Sequence, residues 1–419
     1  MASASESGSS TRRLVMKPGR LKSRVWKYFA FETDTTGAII DLNKPTCKTC
    51  LKGVCTKRRS TSNMAKHLRY RHPDLFREFK AELLDDDEEV ESQCRSCFDC
   101  YDDASLFKLF HLTRACIEFV ADIVRVRNKK FLFTPLSLDA MIMITLNFYA
   151  HGFYSTALKE RFNVQSDCCD NIVFTVSEVV AGLSDQFISF PQTRKAKIDM
   201  AQMVADSCGI PDVLGLLAPA HFRIAEGALG LYVNSLGYPS VVCQMICDLD
   251  GNILSVEQCC AGGTHEQDLW GTSFRGREIE EELYGQYWII GGEGYDLSKR
   301  VLTPVAEPRD EPQRNFNAAH AKIHEVTQKT RRSLKWRFRC LMQLGFEQHR
   351  LTNIIKACCV LHNIAKKFSV PLPHGMERFL DLQPRNPRTE SAGIRPDVLI
   401  ARQELIDNNF TVLPSLKQE

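Results

Sequence analysis

The spacing Cys47-Lys-Thr-Cys50, sixteen residues, then His67-Leu-Arg-Tyr-Arg-His72 constrains this chain more than any other stretch. Two thiols separated by two residues and two imidazoles separated by four suit a tetrahedral Zn²⁺ site. The cysteine pair fits a tight turn between short strands. Asn63–Arg71 reads as a helix, which would put both imidazoles near one helical face. Four protein ligands (Cys47, Cys50, His67, His72) leave no position for water, so the expected Zn²⁺ is structural, not catalytic. From Cys47 to His72 there are eight Lys or Arg residues and no Asp or Glu. A small zinc-held domain with that charge suits a polyanion, because each phosphate neutralised releases condensed counterions. The expected DNA contacts are Lys57, Arg58, Arg59, Lys66, Arg69 and Arg71.

Upstream of the first cysteine runs Val25-Trp26-Lys27-Tyr28-Phe29. With the Cys/His spacing, this stretch resembles the BED-type zinc finger over Leu21–Phe79. That resemblance implies a DNA-binding module of a kind frequent in transposases and their derivatives.

The chain has 419 residues, enough for two or three domains. Its net charge of +3 hides a segregation, since the basic finger is followed by the acidic run Asp85–Glu89. No stretch is apolar for long enough to cross a bilayer, and the Ser-rich start has no hydrophobic signal core, so a soluble intracellular protein is expected. Seventeen cysteines in so long a chain are expected to be mostly reduced thiols serving as small core residues. The expected organisation is a disordered tail (1–20), the finger (21–79), an acidic linker (80–104), a helical subdomain (105–200), an α/β core (201–372) and a C-terminal tail (373–419). Cys94, Cys97 and Cys100 read as a chance cluster in the linker, and metal binding there is left open.

In the helical subdomain, Phe110, Ala115, Phe119 and Ile123 recur at helical spacing, and Leu136–Tyr149 is a helix capped by Ser137. Helices over Thr156–Phe162 and Ser166–Val180, joined by a turn, resemble a helix-turn-helix. Asp167 and Asp170 at the start of the second helix oppose phosphate, which favours a structural role. Beyond Pro211, Val213–Leu217, Ser240–Cys247, Ile253–Gln258 and Trp288–Ile290 read as strands. Asp248-Leu-Asp250-Gly251 is a hairpin turn, and helices dominate from Asn315.

Seven segments in order resemble the nuclease domain of Harbinger-type transposases. They are Val213–Ile224, Asn234–Ser240, Gln244–Asp248, Gly263–Glu266, Ile290–Tyr295, Lys335–Phe338 and Ala357–Asn363. The resemblance implies an RNase H-like fold within the α/β class and metal-assisted phosphodiester cleavage by two aspartates and a glutamate. Two Mg²⁺ ions would need those carboxylates to stabilise the attacking and leaving oxygens. On this resemblance the acid positions fall at Ala218, Gly292 and Gln328, with a further family aspartate at Glu266. Thirty-five residues separate Gly292 from Gln328, the family spacing. Ala and Gly carry no ligand atom and an amide holds Mg²⁺ poorly, so an emptied, inert nuclease is expected. The expected role is that of a nuclear DNA-binding regulator of transcription or chromatin, with a homodimer or nuclear protein as further partner and no membrane contact. Two alternatives stand beside it: a nuclease using relocated acids (Glu266, Asp248, Glu293, Glu325), and a protein-interaction module. Arg331–Arg339 could line a nucleic-acid groove or be an ordinary helix surface.

Overall fold

The computed structural model describes residues 13–16, 23–56, 61–79, 97–127, 136–225, 230–257, 259–345, 348–384 and 394–411. Two compact units emerge, Met1–Asp99 and Cys100–Glu419. Among the expected sites, Lys57, Arg58, Arg59, the acidic run and Cys94 lie outside the described residues.

In the first unit, β1 (Leu14–Val15), β2 (Phe29–Glu32) and β3 (Thr46–Cys47) form an antiparallel sheet in that order. Helix α1 (Ser62–Arg71) follows, and residues 73–79 are also helical. Val25, Tyr28, Phe29, Cys47, Met64, Leu68 and Phe79 make the small core. The expected ββα finger is present with an extra edge strand, β1, paired to β2 at Leu14 and Glu32.

The second unit opens with helices α2 (Asp103–Phe110), α3 (Arg114–Val126), α4 (Leu138–His151), α5 (Thr156–Arg161), α6 (Ser166–Ala181), α7 (Ser184–Phe187) and α8 (Arg194–Cys208). Ser137 caps α4 by accepting from Ala140 N. Every residue of α4 from Ala140 to Ala150 is buried, which makes it the central helix of this region. Phe110 closes α2 and does not continue the stripe of α3, whose buried face is Cys116, Ile117, Val120, Ala121 and Val124. The second helix of the turn-joined pair, α6, packs against both α4 and a later helix, α12 (Gln348–Lys367). Asp170 accepts from Tyr154 Oη, a contact inside the same region. Helix α6 is thus packed on two sides, with Ser166 and Asp170 exposed near its start.

The sheet of this unit runs in the order β6 (Ile253–Val256), β5 (Ser240–Cys247), β4 (Val213–Arg223), β8 (Trp288–Gly291), β9 (Val301–Leu302), with β7 (Cys260–Ala261) beside β5. Strands β4, β5 and β6 are antiparallel, while β8 and β9 run parallel to β4. Three antiparallel strands continued by two parallel ones is the RNase H-like arrangement expected from the resemblance. Both faces are covered, so Ile289 enters one apolar cluster and Ile290 the other, as alternation on a strand requires. The hairpin between β5 and β6 turns on Gly251 at φ 80°, where Asp248 accepts from Gly251 N.

Three features differ from the expectations. Strand β4 runs through Pro219 to Arg223, paired on one side with β5 after β8 stops opposite Leu217. The N–H of His221 points to the edge thus left open, where Gln383 Oε1 accepts it, so two residues earlier the missing N–H of Pro219 falls on that edge as well. Residues expected as a C-terminal tail pack onto the core. Helix α13 (Pro396–Phe410) sets Val398, Leu405 and Ile406 against Phe316 and Ile323. Cys243 and Cys259 form a disulfide in a chain whose thiols were expected to be mostly reduced.

Candidate metal centre and the cleft of the core

The finger brings its four expected ligands together. A single ligand atom from each of Cys47, Cys50, His67 and His72 lies within 4.8 Å of the others. Cys47 ends β3, and the turn after it closes through Leu51 N to Cys47 O at 2.9 Å, which swings Cys50 back beside it. The histidines are reached differently from the expectation of one helical face. Five positions on a helix are about 140° apart. His72 instead caps α1 with φ −139° and ψ 66°, and that departure from helical geometry turns its ring toward His67. The ring centroids are 5.4 Å apart.

Zn²⁺ fits this pocket. Bonds of about 2.0–2.3 Å place tetrahedral ligand atoms roughly 3.3–3.8 Å apart. Cys50 Sγ and His67 Nε2 are 3.2 Å apart, and His72 Nε2 is buried with no hydrogen-bond partner. A buried nitrogen without a partner is costly unless a metal takes its lone pair. Burial, with the neighbouring His72, lowers the proton affinity of His67, which favours the neutral form that can ligate. Beside this centre, Lys66, Arg69 and Arg71 are exposed on α1, while Met64 and Leu68 face the core. Tyr70 is 74% exposed on the same surface.

In the second unit a cleft of about 680 Å³ opens at the ends of β4 and β8. Ala218, Glu266, Gly292 and Gln328 all line it. Leu217 and Gly291 are partners in the parallel register, so the next residues, Ala218 and Gly292, stand side by side. Gln328 comes from the long helix α11 (Glu311–Arg337), and Glu266 opens helix α9 (Glu266–Thr272). Short helix α10 (Phe274–Glu280) follows α9 and leads toward β8.

Two histidines missed by the sequence reading fill the floor. His320 Nε2 donates to Gly291 O at 3.0 Å, and His324 Nε2 donates to Leu217 O at 3.1 Å. A Cβ added at Gly292 would stand 3.1 Å from His324 Cε1, so the imidazole occupies the space next to that glycine. Asn317, His320, His324, Gln328 and Arg331 recur at three- and four-residue steps along α11, a polar stripe that helical periodicity could have revealed.

Of the four acids proposed as substitutes, Glu266 and Glu293 line the cleft, and Glu325 and Asp248 do not. Glu325 is exposed and pairs with Lys329 at 3.5 Å. Asp248 is spent on Asn252 in the β5–β6 hairpin. Glu293, expected to point away by strand alternation, lines the cleft because β8 ends at Gly291 and residues 292–295 form a turn. Glu266 is 4% exposed, packed against Gly294. The acid with the most developed contacts, Asp381, comes from the expected tail. Its carboxylate meets Arg331 Nε and Lys335 Nζ, each at 2.7 Å. Burial opposes ionisation of Asp381, but the Lys335 and Arg331 cations outweigh it and hold the carboxyl below its ordinary range.

The basic run Arg331–Arg339 is therefore largely internal. Arg331, Lys335 and Arg337 are buried, and Arg337 donates to the carbonyls of His111, Val370 and Pro371. Phe338 is buried, and Trp336 donates to Pro373 O.

Several imidazoles of this unit are held neutral. Burial lowers His111, His221 and His362 to about 4, and His320 to about 3. The unfolded chain protonates each near 6.5. The folded chain does not until the pH is much lower, so protons favour unfolding. Stability of the Cys100–Glu419 unit is thus expected to be full above about pH 6.5 and to fall progressively toward about pH 4. Urea midpoints that stay level across that interval would contradict this.

Comparison with known proteins agrees with this architecture. Residues 23–73 match the BED zinc finger family, and residues 223–363 match the DDE superfamily endonuclease family. A protein named "Putative nuclease HARBI1" from Xenopus laevis is 28% identical over 282 residues, covering 66% of this chain and 81% of its own. Its Bos taurus counterpart is 30% identical over 248 residues, covering 58% of this chain and 69% of its own. The Arabidopsis thaliana protein named "Antagonist of like heterochromatin protein 1" is 21% identical over 250 residues, covering 55% and 62%. No solved structure matches the chain. With a zinc-competent BED finger ahead of an RNase H-like sheet and relatives of this kind, the chain belongs to the Harbinger transposase-derived family of DDE-superfamily nuclease-like proteins.

Proposed function

We propose that this is a nuclear DNA-binding protein whose finger engages DNA and whose nuclease-like core no longer cleaves it. The core then serves as a scaffold, for a second copy or a nuclear partner, in transcription or chromatin regulation. The reading rests on the make-up of one cleft. Ala218, Gly292 and Gln328 meet where the resemblance places the acids, and none carries a carboxylate. His324 fills the space beside Gly292. Two Mg²⁺ ions need several oxygens in near-octahedral order. Among the described residues, the finger ligands are the one group of three or more His, Cys, Asp or Glu side chains that converge as a metal site would require. The name of the Arabidopsis relative, an antagonist of a heterochromatin protein, supports placing the role in chromatin. Lys66, Arg69 and Arg71 are the DNA contacts on α1, with Lys57, Arg58 and Arg59 completing the set.

Glu266 and Glu293 share the cleft and favour the second reading, a nuclease with relocated acids. A supercoiled-plasmid assay separates the two. With Mg²⁺ or Mn²⁺ the chain is expected to nick no faster than a Glu266→Ala variant and a protein-free control. Metal-dependent nicking that Glu266→Ala abolishes would establish the second reading and end the first.

A further inference from the structure

The segment Leu380–Pro384 is arranged against the usual sorting of side chains. Leu380 and Leu382 are 76% and 73% exposed, while the carboxylate between them is 5% exposed. Burial of apolar surface would select the opposite facing. What holds the strap is therefore its polar side chains, together with the buried Pro384 at its end. Asp381 meets Arg331 and Lys335, and Gln383 accepts from His221 N at 2.8 Å while donating to Asp381 Oδ1 at 2.8 Å. Among the described residues, 380–384 make no backbone-to-backbone hydrogen bond, and the Tyr238 Oη contact to Leu382 O is long, at 3.4 Å.

The cations beneath are placed by the sheet, independently of the strap. Lys335 Nζ donates to His221 O at 2.7 Å and Arg331 Nη1 to Pro219 O at 3.4 Å, both carbonyls of β4. Arg331 also lines the cleft with Ala218, Gly292 and Gln328. A guanidinium and an ammonium fixed side by side receive a carboxylate or a phosphate by the same charge-assisted bonds.

We propose that Arg331 and Lys335 form a phosphate site of the core, and that the strap Leu380–Pro384 closes it with Asp381 until a DNA backbone takes the carboxylate's place. This goes beyond the proposed function, which gives DNA contact to the finger and makes the core a scaffold for a protein partner. The strap is then a built-in competitor: affinity of the core for DNA is reduced by the fraction of molecules in which the site is covered.

The test uses the full chain with the finger disabled by Cys47→Ala and His67→Ala, and a random-sequence DNA duplex followed by fluorescence anisotropy. Adding Asp381→Asn is expected to tighten binding about tenfold, with Gln383→Ala, which loosens the strap but keeps the ion pairs, giving a smaller gain in the same direction. Occupation of the site should steepen the log–log salt dependence by about 0.9, for the one phosphate it holds. If Asp381→Asn does not fold, Gln383→Ala decides alone. Folded variants that bind no tighter than the finger-disabled parent overturn the proposal. A finger-disabled parent that binds as well as the intact chain would instead count against the finger, and leaves the strap comparison intact.

Discussion

Stripping zinc from the intact chain, or replacing Cys47 and His67 with alanine, is expected to weaken DNA binding at least about a hundredfold. The size follows from how little else holds the finger. Its sheet has three strands, the outer two of two residues each, and its core is a handful of side chains around Phe29, Met64 and Leu68. Domains this small rarely persist on apolar burial alone, and structural zinc contributes on the order of 10–16 kcal/mol in comparable fingers. Without the metal, α1 loses the His67 and His72 anchor, and Lys66, Arg69 and Arg71 are no longer presented together. The measurement is anisotropy with and without a chelator, beside a far-UV spectrum. The Cys100–Glu419 unit has its own core, so its thermal transition should stay in place. DNA binding that survives complete zinc removal would refute the role given to the finger.

The second large effect concerns Arg337. Its guanidinium is 3% exposed and donates to His111 O at 2.7 Å, Val370 O at 2.8 Å and Pro371 O at 3.0 Å. His111 Nδ1 returns a bond to Arg337 O at 2.8 Å. One side chain therefore joins the end of α2, the end of α11 and the loop after α12. Arg337→Ala leaves three carbonyls without a donor and is expected to cost roughly 3–5 kcal/mol. Arg337→Lys should recover only part, since a single ammonium cannot reproduce the planar fork. Urea denaturation of the variants checks this. A loss under about 1 kcal/mol would mean that water replaces the guanidinium at these carbonyls.

The zinc ligands were legible because each is a chemical type with few other uses, set at spacings that a local turn and one helix can close. The strands Ser240–Cys247 and Trp288–Gly291 were equally readable, being apolar runs bounded by turn residues. Even so, the approach of His72 to His67 depends on a capping conformation that helical periodicity does not contain. The cleft was half legible. Resemblance named Ala218, Glu266, Gly292 and Gln328; the parallel register of β4 with β8 sets Ala218 beside Gly292, and α9 and α11 bring Glu266 and Gln328 to the same cleft.

What covers that place could not be read from residue order. His324 presses on Gly292 across thirty-one intervening residues, and Asp381 reaches Arg331 across forty-nine. Nothing near Leu380–Pro384 marks it as anything but a polar-apolar tail, and Arg331–Arg339 looks like a basic surface until its partners are in view. By itself the sequence determined the metal, the strand and helix types, and the absence of acids at the named positions. Those depend on the chemistry of single residues and on short-range spacing. Only the tertiary structure decided which charges are buried, paired and hidden, because burial and ion pairing depend on segments brought together from far along the chain.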